Sequence, residues 1–470
     1  MKLYNTLTRQ KQPLQPLKPG HISLYTCGPT VYHYYHIGNL RNAVFNDTVR
    51  RVLQLADYHV DHIMNITDVG HLTSDADEGS DKLQSKADEE GKTVWEVADF
   101  YTDVFKQDMK LLNVLPPQKY VRATATIERQ IAMVQTLLDK GFAYQAEQAV
   151  YFDVSKLSDY GKLTGQKLSD KEVGARSEVV TDSEKRHPQD FALWFFTTGH
   201  FADHTMRWPT PWGEGFPGWH LECSAIIEQE LGASIDIHTG GVDHIGTHHT
   251  NEIAQSEAAH DGAPLANYWL HNEFLLVDGR KMSKSQRNTY RLDDVVKRGY
   301  DPMALRLLYL QSHYRSQQNF SWEALDAASN LLARLNAWSD AQFQAGAATL
   351  SDDRFDVMHQ AVMGALFDDL NTPQALAAVS ELVDALEQES LTPTAKQVVA
   401  IDQALGLRLV ERVDITSEQK AVLLERENAR KANDFAAADL ARQKLHEQGI
   451  ALDDTAFGPR WRRQTPIPTT

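Results

Sequence analysis

Residues 21–66 read HISLYTCGPTVYHYYHIGNLRNAVFNDTVRRVLQLADYHVDHIMNI. His21 to Cys27 is a largely apolar run that stops at the turn residues Gly28 and Pro29, as a buried strand entering a loop does. After the segment from Thr30 to Asn39, apolar residues fall at 40, 43, 44, 49, 52, 53 and 56, the spacing of a helix from Leu40 to Ala56. His59 to Ile66 carries Val60, Ile63, Met64 and Ile66 and reads as a second strand. Strand, turn, helix and strand make the repeating unit of an α/β fold.

Working outward, residues 73–92 are dense in Asp, Glu, Ser and Lys and predict an exposed loop, followed by a helix from Val94 to Leu112 that Pro116-Pro117 closes. Residues 118–205 mix one helix (Ile127 to Lys140) with strand-like pieces (Ala149 to Val154) and many turn residues, and read as an insertion between two halves of a sheet. The α/β pattern returns over His220 to Ile235, then a turn at Gly240-Gly241 and a helix from His248 to Ala259. Beyond Asp301 the 3.6-residue period recurs at 303–311, 322–341, 353–370, 373–389 and 395–405, a helix bundle. Two further helices over 417–449 and a strand-and-turn ending at 450–463 complete the pattern. These shifts place segment boundaries at 1–117, 118–205, 206–275, 276–325, 326–405 and 406–470.

The chain has 470 residues, long enough for about three domains. Apolar residues at 42%, charged at 24% and aromatic at 9% are ordinary globular usage, which excludes fibrous and low-complexity classes. No apolar stretch is long enough for a membrane span, and the opening residues do not resemble a secretory signal, so no membrane contact and a cytoplasmic address are expected. Two cysteines, Cys27 and Cys223, give no disulfide framework. The net charge of −17 speaks against a generic polyanion binder, so any nucleic-acid contact needs a local basic face. Residues 420–463, with nine Lys and Arg against seven Asp and Glu, are that exception. Within them Arg430, Lys431, Phe435, Trp461, Arg462 and Arg463 combine cations with rings on which bases can stack.

His36-Ile37-Gly38-Asn39 lies between a strand and a helix, where free backbone N–H groups and the helix dipole favour an anion. Gly38 lets a ligand approach the backbone, and His36 and Asn39 can donate to phosphate oxygens. Alone, such a turn reads equally as a capped helix start. Lys281-Met282-Ser283-Lys284-Ser285 follows the turn Asp278-Gly279-Arg280 and places two ammonium groups and two hydroxyls on a loop able to close over phosphates. His248 and Glu252 stand at i and i+4 on one helix face. With Cys27 and Cys223 they are ligand types that zinc takes, although His238, His244 and His249 compete for the imidazole position.

The pair of motifs resembles the HIGH and KMSKS signatures of class I aminoacyl-tRNA synthetases. Cys27 to Tyr32, Asn65 to Asp68, Gly218 to Ser224 and His248 to Gln255 are similar to the cysteinyl-tRNA synthetase family, and the likeness runs from Asn5 to Arg463. It implies a Rossmann-like parallel-sheet catalytic domain with an inserted connective domain, followed by an α-helical bundle and a small C-terminal anticodon-binding domain. The implied reaction is ATP-dependent activation of L-cysteine and its transfer to tRNA(Cys) by a monomer. The resemblance further implies Zn2+ on Cys27, Cys223, His248 and Glu252, and Mg2+ with ATP. Gly28, Thr67 and Trp219 would line the amino-acid pocket; His36, Gly38, Asn39, Lys281, Ser283, Lys284 and Ser285 would hold ATP. His36, Asn39, Lys281 and Lys284 would carry the chemistry. One position departs from the pattern, since Asn39 stands where most such enzymes have His. A relative that joins cysteine to a small amine acceptor is the alternative.

Overall fold

The computed structural model describes all residues except 70–71, 73–80, 166–183, 283–287, 345–347, 390, 456–457 and 465–470. The chain divides into two compact units. The first comprises Met1–Lys110, Leu115–Leu275 and Tyr314–Gln317; the second comprises Leu111–Val114, Leu276–His313 and Gln318–Thr470.

The first unit is organised by a five-stranded sheet of β1 (His21–Thr26), β2 (His59–Ile66), β3 (Lys119–Arg122), β4 (Ile235–Gly241) and β5 (Ala266–Asn272). The spatial order is β5-β4-β1-β2-β3 and every neighbour pair is parallel. A parallel sheet is covered on both faces, which is why these strands have few exposed positions even where, as in β2, β3 and β4, they carry polar residues. The order reverses between β1 and β4, and ligands of such sheets bind outside the carboxyl ends of the strands at that switch point.

The expected strand–helix–strand unit is present, with α1 at Ile37–Leu55. It starts three residues earlier than its apolar spacing indicates, because His36 caps it: His36 Nδ1 accepts from Gly38 N at 3.1 Å and Asn39 N at 3.2 Å, while Asn39 Oδ1 accepts from His36 N at 3.2 Å. Buried Arg41 in α1 donates to the carbonyls of Glu273 (2.6 Å), Phe274 (2.9 Å) and Ser316 (2.7 Å).

Three local expectations fail. Within the supposed loop at 73–92, of which 73–80 lie outside the described residues, Lys82–Glu90 forms α2. Asp81 caps its start, Gly91 ends it in a left-handed conformation, and Leu83 and Ala87 bury one face at i, i+4 spacing. Gly240 and Gly241 are not a turn but the last residues of β4; a Cβ on Gly240 would lie 2.6 Å from the His249 ring, so close packing accounts for the glycine. The segment read as an insertion from residue 118 contributes β3 to the main sheet. α3 (Val94–Leu111) and α4 (Ile127–Asp139) follow their expected spans. A separate antiparallel sheet then joins Ala143–Gln145, Ala149–Phe152, Phe191–Phe196 and Gly215–Pro217.

Returning to the main sheet, α5 is Trp219–Glu230 and α6 is His248–Ala259. The second unit begins with a small sheet of β6 (Leu275–Val277), β7 (Arg280–Lys281) and β8 (Gln318–Phe320). Its helices include α7 (Trp322–Asp340), α8 (Asp352–Phe367), α9 (Thr372–Glu389) and α10 (Ala395–Leu405). The helical hairpin α11 (Ser417–Lys431) and α12 (Phe435–Glu447) and the strand hairpin β9 (Ile450–Thr455) and β10 (Gly458–Arg463) close the chain. The fully buried Asp340 carboxylate receives Arg412 Nε at 2.7 Å and Arg463 Nη1 at 2.8 Å, which ties the end of α7 to the end of β10. Among the described residues no helix is long and apolar enough to cross a membrane.

His62 in β2 is buried with Nε2 2.9 Å from Thr26 Oγ1. Burial, with Arg50 nearby, lowers its pKa from the ordinary 6.5 to about 3. The unfolded chain therefore binds a proton below pH 6.5 that the folded chain refuses, and stability falls as pH drops toward 3. The expected contribution between pH 7.5 and 5 is about 2 kcal/mol. Urea unfolding of His62→Gln at both pH values should show a shallower loss than the parent; equal losses would contradict this account.

Candidate active site and metal centre

β1 ends at Thr26 and delivers Cys27 to the switch point, where its N–H continues the ladder to Thr239 O of β4 at 3.4 Å. α5 brings Cys223, and the first turn of α6 brings His248 and Glu252. All four side chains are buried, and one ligand atom from each lies within 4.8 Å of every other. His248 Nε2 is 2.9 Å from Glu252 Oε1 and 3.5 Å from Cys223 Sγ. Both cysteines are free thiols.

A surrounding layer orients these groups. His248 Nδ1 lies 2.9 Å from His220 Nδ1, so the ring's other nitrogen faces Cys223 and Glu252. His238 Nε2 meets Glu252 Oε2 at 2.8 Å. Cys27 Sγ lies 3.4 Å from His249 Nε2, whose Nδ1 meets His271 Nε2 at 2.8 Å, and His271 Nδ1 meets Thr6 Oγ1 at 2.8 Å. Partners of this kind fix the tautomer and direction of metal ligands. Cys27, His238, His249 and Glu252 form a second convergent set, but there His238 Nε2 already serves Glu252 and His249 serves Cys27 and His271. The first set is the one that holds both thiols, with its imidazole turned toward them by His220.

The electrostatics agree with a cation-binding cluster. Burial opposes ionisation of Glu252, yet His238 and His248 hold its pKa at about 2. Burial likewise opposes a charged His248, and Glu252 with Cys27 lifts it to about 10. A hydrogen bond from Cys223 lowers the Cys27 thiol well below its ordinary value, while burial raises that of Cys223. Glu252 Oε1 is buried without a hydrogen bond of good geometry despite the nearby imidazole nitrogen. Two thiols, an imidazole and a carboxylate turned toward one point fit a zinc ion.

Beside this cluster, the Trp219 ring lies against His248 with centroids 4.2 Å apart and planes tilted by 30°. Gly28 N donates to Asn65 Oδ1 at 2.8 Å, Asn65 Nδ2 donates to Thr67 Oγ1 at 3.0 Å, and Thr67 Oγ1 donates to Glu222 Oε2 at 2.9 Å. Burial raises the Glu222 pKa well above the carboxylate range. The three residues expected around the amino acid thus border the cluster or this network.

At the start of α1, the N–H groups of Gly38 and Asn39 are not free for an anion, because His36 Nδ1 takes both. Burial lowers the His36 pKa, and a neutral ring that accepts at Nδ1 carries its proton at Nε2. The donors there are side-chain groups, His36 Nε2–H and the Asn39 amide. In the second unit, Lys281 ends a β6–β7 hairpin whose central residues Asp278 (φ 49°) and Gly279 (φ 72°) both have positive φ, as a two-residue turn between twisted strands requires. Ser283, Lys284 and Ser285 lie outside the described residues.

The basic C-terminal set divides. Phe435 is 63% exposed at the start of α12, close in sequence to exposed Arg430 and Lys431 at the end of α11. Arg462 is exposed and paired with Asp453 at 2.8 Å. Trp461, expected to stack on bases, is instead buried in a core with Ile415, Leu445, Ile450 and Leu452, since the β9–β10 hairpin needs an inward-facing apolar side chain. Sequence reasoning gave no role to His220, His271, Asn65 or Glu222 and weighed His238 only as a rival ligand; the density of histidines between 220 and 271 was the available signal for the imidazoles.

The family model for the class I (C) tRNA synthetase catalytic domain matches residues 13–330, and a DALR domain model matches 361–409. The chain is 44% identical to cysteine–tRNA ligase 1 of Burkholderia lata, over 98% of this chain and 96% of that protein. It is 41% identical to the cysteine–tRNA ligase of Thermus thermophilus, covering 98% of each. Among solved structures, Mycobacterium tuberculosis methionyl-tRNA synthetase with methionyl-adenylate superposes with a TM-score of 0.59 at 15% identity, over 95% of this chain and 99% of that one; this likeness concerns the fold.

A Cβ on Gly28 would fall 1.9 Å from Asn65 O. Gly28→Ala should therefore displace the turn after β1 and cost about 2 kcal/mol or more, in the range of core overpacking. Thermal unfolding checks this, and an unchanged midpoint would contradict the close approach.

Proposed function

The chain belongs to the cysteine–tRNA ligase family, and we propose that it selects its amino acid through zinc held by Cys27, Cys223, His248 and Glu252. It activates L-cysteine with ATP and transfers the cysteinyl group to tRNA. The convergence of four buried ligand atoms within 4.8 Å carries the zinc reading. Zinc bound there supplies a thiophilic centre that prefers a substrate thiolate to the hydroxyl of serine. An apolar pocket alone discriminates such analogues weakly. Trp219 walls the amino-acid side, Gly28 permits close approach, and Thr67 orders the polar side through Asn65 and Glu222.

In the first step a cysteine carboxylate oxygen attacks the α-phosphorus of ATP in line, and pyrophosphate leaves with the electrons of the broken P–O bond. No covalent enzyme intermediate is needed, so the protein contributes position and charge stabilisation. His36 Nε2–H and the Asn39 amide donate to phosphate oxygens, with Gly38 keeping the approach open. Lys281 and Lys284 neutralise developing charge, Ser283 and Ser285 add hydroxyl donors, and Mg2+ accompanies ATP. In the second step the terminal ribose hydroxyl of tRNA takes the cysteinyl group and AMP leaves. Arg430, Lys431, Phe435 and Arg462 offer cations and a ring to the anticodon end. The residues after β3 and up to 205 serve as the connective insertion, 276–325 as the linker bearing the lysine loop, 326–405 as the bundle and 406–470 as the anticodon module, in a monomer acting in the cytoplasm. Transfer to a small amine acceptor gains no support from the relatives, whose likeness includes the C-terminal segment.

Incubation of the purified protein with radiolabelled cysteine, ATP and bulk tRNA should make label acid-precipitable and RNase-sensitive; soluble label alone would oppose tRNA as acceptor. Cys223→Ser should bind less than stoichiometric zinc and lose cysteine-dependent pyrophosphate exchange, whereas a zinc-free protein with a normal cysteine KM would end the zinc reading. Asn39→Ala should slow adenylate formation by about ten- to a hundredfold, reaching the lower end of what losing one preorganised transition-state donor costs; an unchanged exchange rate would remove Asn39 from the machinery.

A further inference from the structure

The amino-terminal edge of the main sheet carries a second cluster of ligand-type side chains. β1 and β2 pair in parallel with His21 opposite His59 and Ser23 opposite Asp61. Side chains alternate along a strand, so His59 and Asp61 share a face, and His21 stands beside them on the neighbouring strand. The alternate residues Ile22 and Val60 point the other way and are buried. The strand starts are held by hydrogen bonds from His59 N to Gly20 O at 2.9 Å and from His21 N to Lys18 O at 3.0 Å.

His59 Nε2 lies 3.2 Å from Asp61 Oδ1, His21 Nδ1 lies 3.9 Å from Asp61 Oδ2, and the two imidazole rings meet edge to face at 5.1 Å. One ligand atom from each of the three residues lies within 4.8 Å of the others. Ligands at about 2.0–2.2 Å from a common ion lie roughly 3 Å apart, so small side-chain rotations close the set. The side chains are 37%, 60% and 39% exposed, in the order His21, His59, Asp61, and as ion pairs at that exposure they contribute little stability. As ligands they are well placed, because the strand pairing has already fixed their backbones and water can fill the remaining coordination positions.

We propose that His21, His59 and Asp61 form a second metal site, for a borderline divalent transition ion such as Ni2+ or Zn2+. Two imidazoles and one carboxylate, with no thiolate, suit these ions rather than Ca2+ or Mg2+. The site is separate from the thiol cluster: the extended chain from His21 to Cys27 runs along β1, which sets the two about 20 Å apart. Its weaker donor set and open position make it the exchangeable site of the two.

The test uses the full-length protein carrying its resident metal, dialysed against increasing Ni2+, with bound nickel counted by elemental analysis. The expected result is one saturable nickel per chain while the resident metal is retained. His59→Ala and, separately, Asp61→Asn should weaken that uptake at least about tenfold, the least that disturbing a metal's surroundings costs. His446→Ala, on exposed α12, should bind as the parent does. Circular dichroism and cysteine-dependent exchange should be unchanged in every variant, which distinguishes this site from the thiol cluster. The absence of a saturable nickel, or its persistence at parental affinity in both His59→Ala and Asp61→Asn, would overturn the proposal.

Discussion

Burial of two thiols, an imidazole and a carboxylate at one point is the constraint on which the first unit depends. Desolvating such groups without partners costs several kcal/mol each, so the surrounding chain is committed to compensating them. That commitment is visible in α6, whose residues from His248 to Ser256 are all buried. A helix buried on every side is ordinarily apolar, whereas this stretch is polar except for Ile253 and Ala254, and its polar groups call for partners. Asn251 Oδ1 accepts from Tyr160 at 2.5 Å, Thr250 Oγ1 donates to Ile245 O at 2.7 Å, and Gln255 Nε2 donates to Ser224 Oγ at 2.7 Å and to His220 O. The same Gln255 contact holds the segment whose His220 ring orients His248. The helix is thus a scaffold for donors and acceptors while Ile253, Ala254 and Ala258 pack it into the cores, and it stands beside the sheet switch point where ligands of such folds bind.

The cap at the start of α1 is compatible with the phosphate-binding role proposed for His36 and Asn39, despite the departure from the motif. A reciprocal cap needs an acceptor on residue 39 for the His36 N–H, while phosphate binding needs a donor. An amide holds both on one planar group, and because its oxygen is turned to His36 N, the NH2 faces away from the cap. A neutral imidazole can divide its two nitrogens in the same way; a protonated one has no acceptor left. Asn39 therefore keeps the donor without a titratable group, and His36, with both cap hydrogen bonds on Nδ1, presents the other donor.

Much of this was legible because the strongest signals are local. The β1–α1–β2 unit, α3, α4, α6 and the bundle helices follow from period and turn residues. The four metal-type side chains lie together as the resemblance implies, though positions 27, 223 and 248 share no spacing that could place them. What escaped depends on tertiary context. α2 was hidden because a charged surface helix looks like a loop until its caps are weighed. Gly240 and Gly241 looked like a turn because glycine marks both bends and tight packing, and only the His249 ring distinguishes the two. β3 is four residues long and was absorbed into the insertion. The orienting histidines escaped because nothing in a sequence says which of several histidines face one another.

Trp461 carries the same lesson into the second unit and narrows the proposed nucleic-acid face. A ring with basic neighbours in sequence reads as a stacking platform, but a two-stranded hairpin next to a helical hairpin has few other ways to close a core, and Trp461 is spent there. The neighbouring cations are committed as well. Arg463 is locked on Asp340, Arg426 is buried against Asp454, and Arg430 shares that carboxylate at 2.5 Å. The net positive balance of this segment therefore overstates the charge available to a polyanion. On the proposed reading, exposed Phe435, close in sequence to Lys431 and the partly neutralised Arg430, makes stacking the stronger contribution from this tip. Contacts of that kind weaken less with salt than phosphate pairing does, so recognition here should rest on unstacked bases more than on backbone charge.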